Sequence, residues 1–237
     1  MSCKYFILTK PNNKDISYNN ENQIVFLNNS KTYILPQVNI EYYMKHGLFE
    51  SNLIDWSRQF CNKEKIFLDI GAHSGTYSIC LADSCKHVYS FEPQKMTYYS
   101  LCGSVALSNI NNITCINFGL GSPEQIGTQT LNIVSNDGGG SSLFVNNTNT
   151  NVLATEIIKI NTLDSFNLEN IGFIKMDVEE NELFVLKGAL ITLKRSNYPT
   201  ILFESNNSNE ELFCFLKNLN YKIIQISGCS NMFLATM

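Results

Sequence analysis

FLDIGAHSGTYSICLA, residues Phe67 to Ala82, decides the fold. It begins as an apolar strand, breaks at Gly71 and Gly75, and resumes as an apolar helix. A buried strand that turns through glycine into a helix is a unit of a parallel sheet with helices on its faces, and the ligand crevice of such a sheet lies beyond the carboxyl ends of the strands. Gly71 lets the backbone turn sharply near a ligand, and Gly75 lets the next helix pack closely. The helix start offers free N–H groups that welcome negative charge. The spacing is GxxxG, which departs from the GxGxxG of dinucleotide sites.

Working outward, strand and helix alternate from Lys65 on, the pattern of an α/β fold. Strands are predicted at 66–70, 87–92, 113–118, 173–178, 200–204, 221–226 and 232–235, with helices at 76–83, 95–108, 180–195 and 209–219. A β-rich insertion, 127–161, separates the third and fourth core strands. Its runs 130–134 and 155–160 are expected to form an added antiparallel pair over the substrate. Residues 1–62 are polar and Asn-rich and read as an N-terminal cap on a 63–237 domain. In the cap, 24–27 and 32–35 form an expected hairpin through Asn28-Asn29-Ser30, and short helices follow at 41–46 and 52–60.

Composition narrows the function. A hydrophobic share of 44% and a net charge of -4 suit a globular protein without a large phosphate-binding face. No apolar run approaches the ~20 residues of a membrane span, and Tyr5–Thr9 is too brief for a secretory h-region, so a cytoplasmic location is expected. The eight cysteines lack CxxC or zinc spacing and read as free thiols. Among the carboxylates, Glu92 closes the second strand in VYSFEPQ, about 20 residues past the glycines, where an acid accepts ribose hydroxyls. With Asp69 at the turn, this suits a nucleoside carrying an amino-acid tail, S-adenosylmethionine. The alternative is that Asp69 caps the helix and Glu92 merely ends a strand.

The chain resembles the FkbM family of methyltransferases, over roughly Tyr43 to Ala235. The resemblance rests on HGLFE (46–50), FLDIGAHSGTYS (67–78), VYSFEPQ (88–94), NFGLGS (117–122), GGSSL (139–143), INTLDSF (160–166), FIKMDVEENELFVLKGA (173–189) and ILFES (201–205). It implies a Rossmann-like class I methyltransferase sheet of order 3-2-1-4-5-7-6 with the last strand antiparallel. It also implies that Asp69, Gly71, Ala72, His73 and Gly75 surround the methionine part of the cofactor, Glu92 and Pro93 its ribose, and Asn117 to Leu120, with Gly119, its adenine. Asp177 would face the amino group and the methyl. Ser141, Ser142 and Glu179 would face substrate. Apart from the resemblance, Glu204 at the end of the fifth strand reads as an acceptor of substrate hydroxyls. The family glycine after Asp-x-Glu is replaced here by Glu180; if that position needs φ > 0, the loop geometry must differ. His73 stands where a typical member has Asn.

An acceptor hydroxyl must lose its proton, and Asp177, Glu179 and His73 are the candidate catalytic groups. Glu179 and Glu182 have the plainer reading of a solvated first helical turn. Asp177 and Glu204, acids that end adjacent strands, with Asn206 nearby are a set that Mg²⁺ can take, although no metal is expected. Lys175 reads as an ion-pair partner, Trp56 and Tyr42-Tyr43 as cap packing, and Asp164 as the N-cap of a short helix. Gly138 to Ser141 is a hairpin tip or a close approach to substrate. The expected activity is O-methylation of a sugar, glycan or small-metabolite hydroxyl, without nucleic-acid or membrane partners. The alternatives are a ribose 2′-O-methyltransferase, which wants a Lys-Asp-Lys-Glu set, and an inactive cofactor-binding subunit.

Overall fold

The computed structural model describes residues 4–10, 16–18, 25–27, 31–144, 151–205, 209–229 and 231–237. The cap contains β1 (Tyr5–Lys10), β2 (Ile16–Tyr18), β3 (Val25–Leu27), β4 (Lys31–Pro36), α1 (Ile40–His46) and α2 (Ser51–Ser57). Next come β5 (Ile66–Ile70), α3 (Thr76–Leu81), β6 (His87–Phe91), α4 (Lys95–Leu107) and β7 (Ile113–Ile116). The insertion region holds β8 (Gly119–Leu120), β9 (Gly127–Ile133) and β10 (Ala154–Asn161). The chain finishes with β11 (Ile171–Met176), α5 (Glu182–Lys187), α6 (Leu190–Arg195), β12 (Thr200–Glu204), α7 (Glu210–Asn218), β13 (Lys222–Gln225) and β14 (Met232–Thr236).

Seven strands form the central sheet in the order β7-β6-β5-β11-β12-β14-β13, which is 3-2-1-4-5-7-6 along the chain. β14 runs antiparallel to both neighbours. Strand order reverses between β5 and β11, so a crevice opens where their carboxyl ends diverge. Alternation along β5 sends Leu68 and Ile70 to one face, with Leu186, Leu193 and Leu216, and Phe67 to the other, with Ile79, Tyr33 and Ile54. The cap therefore shares a core with the sheet. Each fully buried Leu, Ile or Phe contributes about 1.5–3 kcal/mol to it.

Three expectations change. β3 pairs with β2, and β4 with β1, in place of the hairpin between them. The Thr32 and Ile34 N–H groups of β4 donate to Ser108 and Ser104 on and just after α4, so helical serines take amides that another strand would need. The expected turn, 28–30, lies outside the described residues, as do Ile24, Cys3 and Asn206. The single helix 180–195 is two. It breaks at Gly188, where an added Cβ would come within 2.0 Å of the Gly121 carbonyl oxygen. Asp164 caps the second piece, accepting from the Ile191 and Thr192 N–H groups, and the short helix at Leu163–Phe166 starts from Thr162 without a side-chain cap. β9 and β10 form the expected antiparallel pair, and β8 joins them in parallel.

Candidate active site

A cavity of about 380 Å³ opens at the carboxyl ends of β5, β6 and β11. Its walls are the turn after β5, the segment Glu92 to Gln94, Phe118 to Leu120, the loop after β11, the insertion tip and part of the cap.

The turn is fixed by its backbone. Gly71 has φ +76, and a Cβ there would sit 1.7 Å from the Asp177 carbonyl oxygen. The Gly71 and Ala72 N–H groups both donate to the Phe91 carbonyl, Gly75 to Ala72, and His73 to Glu92 Oε2. The amides of the turn are thus engaged, and at the start of α3 the Ser78 N–H is taken by Asp69. Asp69 is buried beneath the turn and does not reach the cavity wall. Its Oδ2 accepts from the Ser78 N–H and hydroxyl, which ties strand to helix, while Oδ1 has no hydrogen-bond partner among the described residues. Burial pushes its pKa up, against the pull of Lys175, its register partner on β11.

Glu92 is on the wall, with Oε2 held by the His73 N–H at 2.9 Å and Oε1 by the Gln94 N–H at 2.9 Å. Burial raises it to about 7. Each oxygen retains acceptor capacity for a further donor. Pro93 and Gly119 also line the cavity. Asn117 stands behind them, its amide donating to the Glu92 and Pro93 carbonyls, and acts as a strap.

At the end of β11, the Lys175 ammonium lies 3.2 Å from Asp177 Oδ2, 3.5 Å from the Gly71 carbonyl and 5.1 Å from the Tyr77 ring centre. The ion-pair reading of Lys175 holds. Asp177 and Glu179 are on the wall. Glu180 has φ +79 and Glu179 φ +52, so the loop keeps a left-handed conformation without the family glycine. Two side chains carry that strain, at a cost on the order of 1–2 kcal/mol each. Glu182 is buried, accepts from the Val178 N–H and is raised to about 7 by burial, which excludes the solvated first turn. Burial first, then Asp177, raises Glu179. Glu204 lies off the cavity wall, bonded by Asn231, and burial followed by Asp177 lifts it to about 8. Among the described residues, no group of three or more His, Cys, Asp or Glu side chains is arranged to hold a metal ion.

The insertion tip closes over the site. Asp137 accepts from the Asn39 amide at 2.7 Å through Oδ2 and from His73 Nε2 at 2.7 Å through its carbonyl. A carbonyl only accepts, so Nε2 carries the proton; burial lowers the His73 pKa, and Nδ1 faces the Ser74 hydroxyl. The Gly140 N–H donates to Glu179 Oε1, and the Ser142 hydroxyl to the Glu179 carbonyl. Ser141 is on the wall and donates to Gln94 and Gly138; Ser142 is behind it. The glycine tip is therefore a close approach to the cavity. His73, at φ +50, occupies a left-handed position that Asn also tolerates.

Sequence reasoning assigned no site role to Asn39, Glu50, Tyr77, Gln94 or Asp137, all on the wall. Glu50 ends HGLFE, Tyr77 lies in FLDIGAHSGTYS and Gln94 ends VYSFEPQ, whereas no motif contains Asn39 or Asp137. Tyr43 is buried and lines the cavity with Phe49, on which Tyr42 stacks at 4.0 Å, while Trp56 meets Phe60 edge-on.

The family model of the methyltransferase FkbM domain matches residues 69–223. No curated protein matches the chain. Among solved structures, the methyltransferase FkbM of Methylobacillus flagellatus KT superposes with a TM-score of 0.51 at 18% identity, over 74% of this chain and 44% of that one. The chain thus spans under half the length of that protein. A precorrin-6y C5,15-methyltransferase from Geobacter metallireducens GS-15 gives 0.50 at 10% identity, over 81% and 91%. These likenesses concern the fold.

Proposed function

The chain belongs to the FkbM methyltransferase family, and from that premise we propose that it moves the methyl of S-adenosylmethionine to a hydroxyl of a sugar, glycan or small metabolite. The observation that carries the reading is the cavity with Glu92 held by backbone amides on one wall and Asp177 and Glu179 on another. The residues fit that cofactor: Glu92 has lone pairs for ribose hydroxyls, and Pro93, Phe118 and Gly119 offer an apolar edge for a base. The Gly71 and Ala72 amides are taken, which disfavours a dinucleotide pyrophosphate.

When bound, the cofactor supplies an electrophilic methyl on a sulfonium. The chain's own residues align the acceptor and take its proton, and alignment supplies much of the rate. Both ring nitrogens of His73 are engaged, so proton transfer falls to the acids. Glu179, raised by burial and steadied by the Gly140 N–H, suits the general base. Asp177, paired with Lys175, suits a positioning carboxylate at the methyl. The acidic wall and the net charge of -4 favour an acceptor other than nucleic acid. No described helix is long and apolar enough to cross a membrane. Cys61, Cys85, Cys102, Cys115, Cys214 and Cys229 are free thiols, in keeping with a reducing, cytoplasmic setting.

The test is transfer of labelled methyl to a panel of glycans and hydroxylated metabolites. Asp177→Asn is expected to cut turnover by about 10²-fold through misplacement of the reacting groups while S-adenosylhomocysteine still binds. Unchanged turnover in the variant would remove the role given to Asp177, and no transfer by the wild-type protein at any enzyme dose would replace the catalytic reading with that of an inactive binding subunit.

A further inference from the structure

The cap brings one carboxylate to the cavity. Glu50 is at the start of α2, exposed at the cavity mouth and part of its wall. The Tyr77 hydroxyl donates to Glu50 Oε2 at 2.9 Å. Among the described residues nothing bonds Oε1. One oxygen is thus fixed by a buried tyrosine of α3, and the other is left to accept from whatever fills the cavity.

The surroundings favour a cation in that place. The nearby Lys175 ammonium bonds Asp177 and the Gly71 carbonyl, and its charge is shared at longer range by Asp69 and Glu50 without a hydrogen bond to either. Glu50, Asp137 and Asp177 line the cavity beside the buried carboxyls Glu92 and Glu179, and Lys175 is the one lysine or arginine among its described lining residues. A positively charged ligand group relieves that imbalance and gains a charge-assisted hydrogen bond; a neutral hydroxyl gains less.

We propose that Glu50 is a binding residue for the α-ammonium group of the cofactor's amino-acid part, so that the cap completes the cofactor site. This rests on the cofactor reading above. Glu50 precedes the matched span, 69–223, and none of the roles assigned above to that span depends on it. With Glu50 holding the ammonium, Asp177 is left for the methyl and the acceptor.

Calorimetric titration of the whole chain separates this from a structural role. The ligands are S-adenosylhomocysteine and methylthioadenosine, which keeps the nucleoside and thioether but lacks the amino-acid part. Glu50→Gln is expected to weaken S-adenosylhomocysteine by about tenfold and to leave methylthioadenosine within about twofold. Tyr77→Phe, which frees the carboxylate without removing it, is expected to give a smaller loss of about threefold for the first ligand only. Equal losses for both ligands, no loss, or tighter binding of S-adenosylhomocysteine by Glu50→Gln would overturn the proposal, the last by pointing to the ligand's carboxylate at this position. Wild-type protein that binds neither ligand would instead remove the cofactor reading, and this inference with it.

Discussion

The wall formed by the turns after β5 and β6 and the wall formed by the cap and insertion tip enclose one cavity by different means. The first is held by backbone: Gly71 and Ala72 on the Phe91 carbonyl, and His73 and Gln94 on the Glu92 carboxylate. The second is held by side chains reaching across the sequence, Asn39 to Asp137, His73 to Asp137, and Ser141 to Gln94. A backbone-fixed wall tolerates few substitutions and suits a constant ligand. A wall of side-chain latches opens when its few bonds break, which suits the side by which ligands enter and leave.

If this contrast is right, variants in the two walls separate by size. Gly71→Ala is expected to have the largest effect, because the new Cβ meets the Asp177 carbonyl at 1.7 Å on a residue already at φ +76. A loss of about 3–5 kcal/mol in denaturant unfolding is expected, and near wild-type stability would break the account of the first wall.

Glu92→Gln tests the same wall by pH. The folded pKa is about 7 against an ordinary 4.5, so between those values the folded protein holds a proton that the unfolded chain has released. Stability therefore falls as pH rises through this window, by up to about 3 kcal/mol for this group. Glu182, also near 7, adds a similar slope. Unfolding free energies at several pH values should show the variant with roughly half the wild-type decline from this pair. An unaltered slope would mean that Glu92 is not held in a desolvated site.

Asn39→Ala is expected to have the smallest effect, about 0.5–1.5 kcal/mol, with faster release of S-adenosylhomocysteine in stopped-flow as the tip loosens. A loss as large as that of Gly71→Ala would erase the contrast between the walls.

The first wall was legible because its demands are local. A glycine turn, an acid at a strand end and alternating apolar residues are all backbone or periodicity signals, and the strand order came with the family resemblance. Asp69 was legible as important but not in its place: an acid at that position serves a ligand or the next helix, and Ser78 decides for the helix. The second wall was hidden because its bonds join residues far apart, as with Asn39 and Asp137, and neither residue carries a periodic signal. The β3–β4 hairpin failed for a similar reason, since the competing partners of β4 are serines at 104 and 108. Gly188 hid a helix break that goes with contacts from distant residues, the approach of Gly121 and the bonds from Asp164.

The most direct test of the central claim is calorimetric titration of the purified protein with S-adenosylhomocysteine, with NAD as the control ligand. Micromolar binding of the first and none of the second is predicted from Glu92 on the cavity wall and the engaged amides of Gly71 and Ala72. Binding of NAD, or no binding of S-adenosylhomocysteine by a folded sample, would contradict it.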